Sequence, residues 1–315
     1  MFHPTLSKKG RIIFYPIIKF CEYLGNNHPQ VMVQLRYYSV FKRWANLYHP
    51  KDLNEKILYL KLFTDTSKWP DLVDKYKVRD YVHSKGFDDI LVKLYGVWHS
   101  VDEFKKEYDR LPKSFILKAN NGEGKGTNLV VTNKSNFSVD VLAGKIHEWL
   151  SRKNIGALVA EPQYKHIVPC VVAEELLPIE EGSHSLTDYK IWCFNGKPHF
   201  IWVCNNRNRD GNSAHVLTYD LDWTPHPEYS VFTSDYKQGT PIEKPVNFEK
   251  MLSIASILSE GFPELRVDLY NIKGKIYFGE LTFTSQGGIN GFYTQDFLNL
   301  AGGKFEVEDL KISKR

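Results

Sequence analysis

Asp268 and Glu280 stand in two β-rich runs, RVDLYNI and KIYFGELTFT, with Lys273-Gly274 at or near the turn between them. The pattern predicts a hairpin. Side chains alternate faces along a strand, so loop length decides whether the two acids meet. A two-residue loop sets them on opposite faces. A three-residue loop, with Gly274 in the left-handed position, sets them on one face as diagonal neighbours, and this is the expected arrangement. Val267, Leu269, Leu281 and Phe283 then form a core face, and Arg266, Asp268, Glu280 and Thr282 a polar one. Two carboxylates beside an arginine suit a hard divalent cation that also holds phosphate oxygens. The same residues would also suit a salt-bridged surface hairpin.

A second group of residues suits phosphate. FILK and NLVVT read as strands, and the loop between them carries Gly122, Gly124 and Gly126. Glycines let a backbone approach phosphate and present its N–H groups. Lys118 leaves the first strand toward the same space. A Walker A loop would run from strand to helix and read Gly-Lys-Ser/Thr, whereas Lys125 is followed by Gly126. A flexible hairpin tip is the plain alternative. CVVAEELL is a buried strand running into Glu174 and Glu175. Acids so placed are often surface residues, but they can also bind a nucleobase amino group or a ribose.

DYKIWCFNGKPHFIWVCNNR is a hairpin turning at Asn195-Gly196, with Asp188 and Lys190 on one face and Arg207 and Arg209 after its second strand. DLVDKYKVRDYVHSK reads as one helix capped by Gly86, which puts Lys75 and Arg79, four apart, on one face. That face could equally be solvated.

The elements around these residues follow from periodicity. Residues 1–70 look helical, with LNEKILYLKLF the clearest stretch and Trp69-Pro70 closing the segment. ILVKLYGVW reads as a strand. Ser138 caps a helix to about Arg152, and Asn247 caps FEKMLSIASILSE, which ends at Gly261. Residues 210–245 read as loop, and glycine-rich TSQGGINGF follows the carboxylate hairpin, making Gln286 to Asn290, Arg209 and His215 candidates for acceptor contact by proximity.

The 315 residues are 42% hydrophobic and 25% charged, a globular composition with room for two or three lobes. A net charge of +4 gives no reason to expect nucleic acid. Cys21, Cys170, Cys193 and Cys204 form no CxxC pair and read as reduced thiols of a cytoplasmic protein. No histidine pair has a zinc spacing. No run reaches the roughly 18 apolar residues of a membrane span. RIIFYPIIKFCEYL is expected to pack on the body as a helix; a membrane-surface helix, with Lys8, Lys9, Arg11 and Lys19 toward lipid headgroups, is the alternative.

The order of these features resembles the ATP-grasp superfamily, and within it the TupA-like branch associated with bacterial surface polysaccharide synthesis. The matching phrases are NEKILYLKLF, DKYKVRDYV, LPKSFILKANNGEGKG, AEELL, DYKIWCFNGKPHFIWV and RVDLYNIKGKIYFGELTF. The resemblance implies an α+β ATP-grasp fold, two subdomains holding ATP between antiparallel sheets. The boundaries that go with it are a helical region at 1–70, a linker at 71–110, a small subdomain at 111–176 and a large one at 177–315. By position, Arg79, Lys118 and the loop Gly122, Gly124, Gly126 would contact phosphates; Glu174 and Glu175 would sit at the hinge near the base, and Asp188 near the ribose. Lys190 and Arg207 would face the γ-phosphate and the acyl phosphate, and Asp268, Glu280 and Thr282 would hold Mg²⁺. Thr282 stands where most ATP-grasp enzymes have Asn, and residues 1–70 show none of the strands of the usual acceptor-binding lobe.

The implied chemistry is ATP-dependent carboxylate–amine ligation through an acyl phosphate. In this branch it would join a uronic acid of a surface polysaccharide or its precursor to an amino acid or other amine, in peripheral association with membrane assembly machinery. An ATP-grasp-type sugar kinase would need no amine and release no phosphate. A non-catalytic glycan-binding protein would turn over nothing, which its phosphate-facing charges argue against.

Overall fold

The computed structural model describes residues 8–122, 126–208 and 213–307, with side chains from Tyr15 onward. In chain order the elements are α1 (Lys8–Asn27), α2 (Pro29–Phe41), α3 (Leu53–Phe63), α4 (Trp69–Val73), α5 (Val78–Ser84), β1 (Leu94–Trp98), α6 (Val101–Glu107), β2 (Phe115–Ala119), β3 (Asn128–Val131), α7 (Val139–Leu150) and β4 (Val171–Glu174). Then come β5 (Asp188–Phe194), β6 (Lys197–Asn205), β7 (Ala214–Tyr219), β8 (Tyr236–Gln238), α8 (Phe248–Leu258), β9 (Glu264–Ile272), β10 (Lys275–Thr282) and α9 (Gln295–Gly302).

Two sheets organise the chain. The smaller runs β1-β4-β2-β3, antiparallel throughout. Its apolar face is covered by α6 and α7, which contribute Phe104, Leu142, Ile146 and Trp149 to one buried cluster with Phe115 and Leu117. Ser138 caps α7 as expected, its Oγ accepting from the Val141 N–H at 3.3 Å. The larger sheet runs β10-β9-β5-β6-β7-β8 and is antiparallel except for its parallel β7–β8 edge pair. Helix α8 packs on it through Met251, Ile254 and Leu258, each fully buried. Removing a side chain of that size from water stabilises by about 1.5–3 kcal/mol.

Four local expectations need correction. The stretch read as one helix after Pro70 is two, α4 and α5, and Trp69 opens α4 rather than closing a segment. Asp74 causes the break: its carboxylate accepts from the backbone N–H of Tyr76 at 2.8 Å and of Lys77 at 3.2 Å, offering the chain a turn instead of helix. Lys75 therefore lies in the break and does not share a helical face with Arg79. Residues 210–245 are not all loop, since AHVLTY supplies β7 and Tyr236–Gln238 supplies β8. Asn247 occupies the N-cap position of α8, but its side chain makes no capping bond. It donates to the Gly274 carbonyl at 2.6 Å instead, tying the helix to the β9–β10 turn.

Helix α3 carries its apolar spacing as predicted, yet is buried all round, with Asn54, Glu55, Lys56 and Lys61 inside too. Each buried charge has partners, as burial demands. Glu55 accepts from Arg43 at 2.7 Å, Lys56 donates to the Gly302 carbonyl at 2.9 Å, and Lys61 donates to the carbonyls of Val159 at 2.7 Å and Gly287 at 2.6 Å. α3 thus works as a polar-pinned axle between the helical start of the chain and the glycine-rich loop after β10.

Candidate active site

The carboxylate hairpin places Asp268 and Glu280 on one face, but not by the expected route. Ile272 pairs with Lys275, so the loop is the two residues Lys273 and Gly274, at φ 50° and 83°. Such a turn alone would leave the acids on opposite faces. The register shifts between Phe278 and Glu280, and beyond this bulge Glu280 lies directly opposite Asp268. The extra residue is Gly279, where a Cβ would sit 2.8 Å from the Asp268 carbonyl oxygen. Glycine inside a strand is the usual signal of a bulge. Val267, Leu269, Leu281 and Phe283 are buried behind this face.

Arg266 grips Asp268 with two parallel bonds, Nε to Oδ1 at 2.7 Å and Nη2 to Oδ2 at 2.9 Å. It also donates to Thr282 Oγ1 at 3.1 Å and Ser285 Oγ at 2.7 Å. Lys190, opposite Asp268 on β5, donates its ammonium to Asp268 as well. Burial alone would push the Asp268 carboxyl up, but Arg266 and Lys190 hold it below the ordinary carboxylate range. Burial likewise opposes the charge on Lys190, and Asp188 and Asp268 overrule it, raising its pKa. Glu280 is 44% exposed, and its nearest cations, Lys75 and Arg266, stand 3.8 Å away. Its oxygens retain room for a further ligand. Among the described residues no group of three or more His, Cys, Asp or Glu is placed to hold a metal. Two carboxylates and a hydroxyl fit Mg²⁺, which keeps waters and takes phosphate oxygens rather than occupying an all-protein cage.

One β5 alternation from Lys190, Asp188 accepts from Arg207 through Nε at 3.0 Å and Nη2 at 2.8 Å. Asp188 also lies opposite Tyr270, whose hydroxyl is pushed well up by that carboxylate and by burial.

The other group lies on the small sheet. Glu174 ends β4 almost wholly buried, accepting from Lys118 at 2.7 Å and from Arg79 at 3.2 Å. Arg79, Lys118, Glu174 and Lys75 line a pocket whose far wall is Phe278 and the bulged Gly279. Glu175 is half-buried, and its backbone N–H donates to the Lys93 carbonyl at 2.9 Å. At Gly122 a Cβ would meet Thr127 Oγ1 at 2.4 Å, and Gly126 adopts φ 80°. Gly124 and Arg209 lie outside the described residues.

Lys75 joins the two groups. Its ammonium donates to the Gly122 carbonyl at 2.8 Å and faces Glu280 at 3.8 Å, and burial lowers its pKa. The DKYKVR phrase contained it, but only the chain break at Asp74 explains why it turns inward. The sequence places Arg266 on the polar face, and the structure adds its two-bond grip on Asp268. Of the acceptor candidates, Asn290 is fully buried and bonded to Asn54 at 2.8 Å, Gln286 reaches the Tyr236 hydroxyl at 3.4 Å, and His215 pairs with Asn205 at the β6–β7 edge.

A TupA-like ATP-grasp family model matches residues 55–306. No curated protein matches the chain. Among solved structures, D-alanine–D-alanine ligase from Bacillus anthracis is similar at 14% identity and TM-score 0.46, over 78% of this chain and 67% of its own. A D-cycloserine synthetase is similar at 14% identity and TM-score 0.46, over 76% of this chain and 71% of its own. N5-carboxyaminoimidazole synthetase from Staphylococcus aureus, complexed with ADP, is similar at 16% identity and TM-score 0.41. The chain spans 67% of itself and 44% of that synthetase in the match.

Proposed function

Because the chain belongs to the TupA-like ATP-grasp family, we propose that it is an ATP-dependent carboxylate–amine ligase that works through an acyl phosphate. The observation that carries this reading is the polar face on which Arg266, Lys190, Asp268, Glu280 and Thr282 meet, beside the pocket lined by Arg79 and Lys118. ATP would occupy the space between the sheets, with Arg79, Lys118 and the loop Gly122–Gly126 toward its phosphates. Glu174 and Glu175 would lie toward the base and Asp188 toward the ribose. Asp268, Glu280 and Thr282 would hold Mg²⁺, which neutralises charge on the phosphates when bound.

The protein's task in such a reaction is positioning and charge compensation. A substrate carboxylate oxygen bonds to the γ-phosphorus as the bond to ADP breaks. An amine nitrogen then bonds to the acyl carbon, phosphate departs, and the nitrogen gives up a proton. Lys190 and Arg207 would offset the charge carried by the transferring phosphoryl group and the acyl phosphate. The substrate pair we propose is a uronic acid of a surface glycan, or its precursor, with an amino acid or amine.

The test is ADP and phosphate release from Mg²⁺-ATP with panels of uronates and amines. Release that needs both partners and is lost in Asp268→Asn supports the ligase. A phosphorylated sugar formed without amine would replace it with a kinase, and no turnover by the wild type under any pairing would contradict it.

A further inference from the structure

Half of the exposed large apolar side chains among the described residues, ten of twenty, fall between Tyr15 and Tyr48. Six of the seven exposed aromatics are there, and the seventh is Tyr76. On α1, Tyr15, Lys19 and Tyr23 recur at four-residue spacing with Phe20 beside them, and all are exposed, while Leu24 and Gly25 are buried. On α2 the outward stripe is Val31, Leu35, Tyr38 and Lys42, and Trp44 stacks on Tyr38 with ring centroids 4.8 Å apart. The opposite stripe of α2, Val33 and Tyr37, is buried. Soluble proteins rarely leave so many apolar residues together without a partner.

Charge distinguishes what that partner is. Residues 1–51 contain eight Lys and Arg and one acid, Glu22, a net charge of +7 against −3 for the rest of the chain. Lys19 is partly compensated by Glu22 at 2.6 Å, and Arg43 is committed to Asp52 and Glu55. Lys42 is exposed and donates to the Ser39 carbonyl at 3.0 Å. A second copy of this face would set one net-basic segment against another. Tyr, Trp and Phe mixed with Lys and Arg are the residues that settle at the boundary between headgroups and acyl chains. No described helix is long and apolar enough to cross a membrane.

We propose that the outer faces of α1 and α2 dock on an anionic lipid bilayer, lying in its interface, with the aromatics among the acyl chains and the basic residues at the headgroups. This surface is remote in sequence from every residue assigned to catalysis, and the proposal stands or falls independently of the ligase reading. It would hold the enzyme beside substrates carried on lipid.

The experiment is flotation of the full chain with vesicles of phosphatidylcholine alone and of phosphatidylcholine with one-third phosphatidylglycerol. We expect at least tenfold more protein floating with the anionic vesicles, lost in 0.5 M salt. Phe20→Ser with Leu35→Ser should abolish flotation, and Lys19→Glu with Lys42→Glu should reduce it severalfold. All four positions are exposed, so unchanged melting should accompany both double variants. Equal binding to neutral vesicles, or flotation surviving in the Ser variant, would overturn the proposal. So would a dimer that the Ser variant dissolves, which would assign the face to a second copy, or no flotation at all.

Discussion

Asp268 and Glu280 face each other across β9 and β10 because Gly279 is bulged out of the ladder between them and the turn. The turn alone would set the acids on opposite faces. One glycine therefore decides whether the hairpin offers two carboxylates to one space.

Gly279→Val should separate binding of metal from folding. A Cβ there would strike backbone, the Asp268 carbonyl oxygen at 2.8 Å, which cannot swing away. Overpacking of this kind costs about 1–3 kcal/mol. The expected outcome is a folded protein whose turnover needs at least ~10-fold more Mg²⁺, because the facing pair is lost. A Mg²⁺ titration of ADP formation checks it, and an unchanged half-saturation point would refute the role of the bulge.

Arg266→Lys keeps the charge but loses the fork. Arg266 binds both Asp268 oxygens and also Thr282 and Ser285, four bonds that an ammonium with three donors cannot reproduce in that plane. Turnover should fall about 10²-fold or more, with stability reduced by a few kcal/mol. Steady-state kinetics beside urea melts would show both, and full activity in the variant would remove Arg266 from the site.

Glu264 imposes a pH dependence on stability. It is buried on β9 with neither carboxyl oxygen partnered among the described residues, and burial raises its pKa well above the usual value. In the unfolded chain the group loses its proton near pH 4.3, whereas in the folded protein it retains it. Its contribution is thus complete at low pH and lost as pH rises toward the folded pKa. Glu264→Met should stabilise by about 1–2 kcal/mol at pH 8 and by less at pH 4.5. Urea melts of both proteins at the two pH values decide it; equal differences would contradict the assignment.

Three of the four thiols should be silent. Cys170 and Cys193 are buried and pushed up to about 12, and Cys204 to about 11, by burial, while Cys21 is half-buried. Thiolate is the reactive form. A disulfide reagent at pH 8 should therefore titrate a single fast thiol in native protein and the other three only in denaturant. Two or more fast native thiols would show that the core opens.

The residues that were legible in sequence were those whose local chemistry is self-sufficient. Asn195-Gly196 marks its hairpin because both residues must adopt positive φ, and they do, at 49° and 74°. The Ser138 cap and the apolar stripe of α7 follow the same logic. The order of phrases also carries the family resemblance, which the family model over residues 55–306 bears out. What escaped were features set by distant partners. The strand β7 hides in a polar stretch because its ladder is supplied by β6 and β8. The break at Asp74 is fixed partly by Asn120, 46 positions away, which donates to its carboxylate at 2.8 Å. The charges of α3 gave no sign of burial, since their partners come from residues as remote as Gly302. The sequence pattern points to a three-residue turn as what brings the acids together, whereas the register shift lies at Gly279, where the strand partner rather than the local sequence sets the pairing.

Activation of a carboxylate as an acyl phosphate moves one carboxyl oxygen onto phosphate, and that oxygen can be followed. The enzyme is given Mg²⁺-ATP, an amine and a uronate whose carboxyl oxygens are ¹⁸O, and the released phosphate is read by ³¹P NMR. The expected product is phosphate carrying one ¹⁸O, formed only when both uronate and amine are present and absent with Asp268→Asn. Phosphate without label, or label appearing at the same rate in the Asp268→Asn protein, would contradict it.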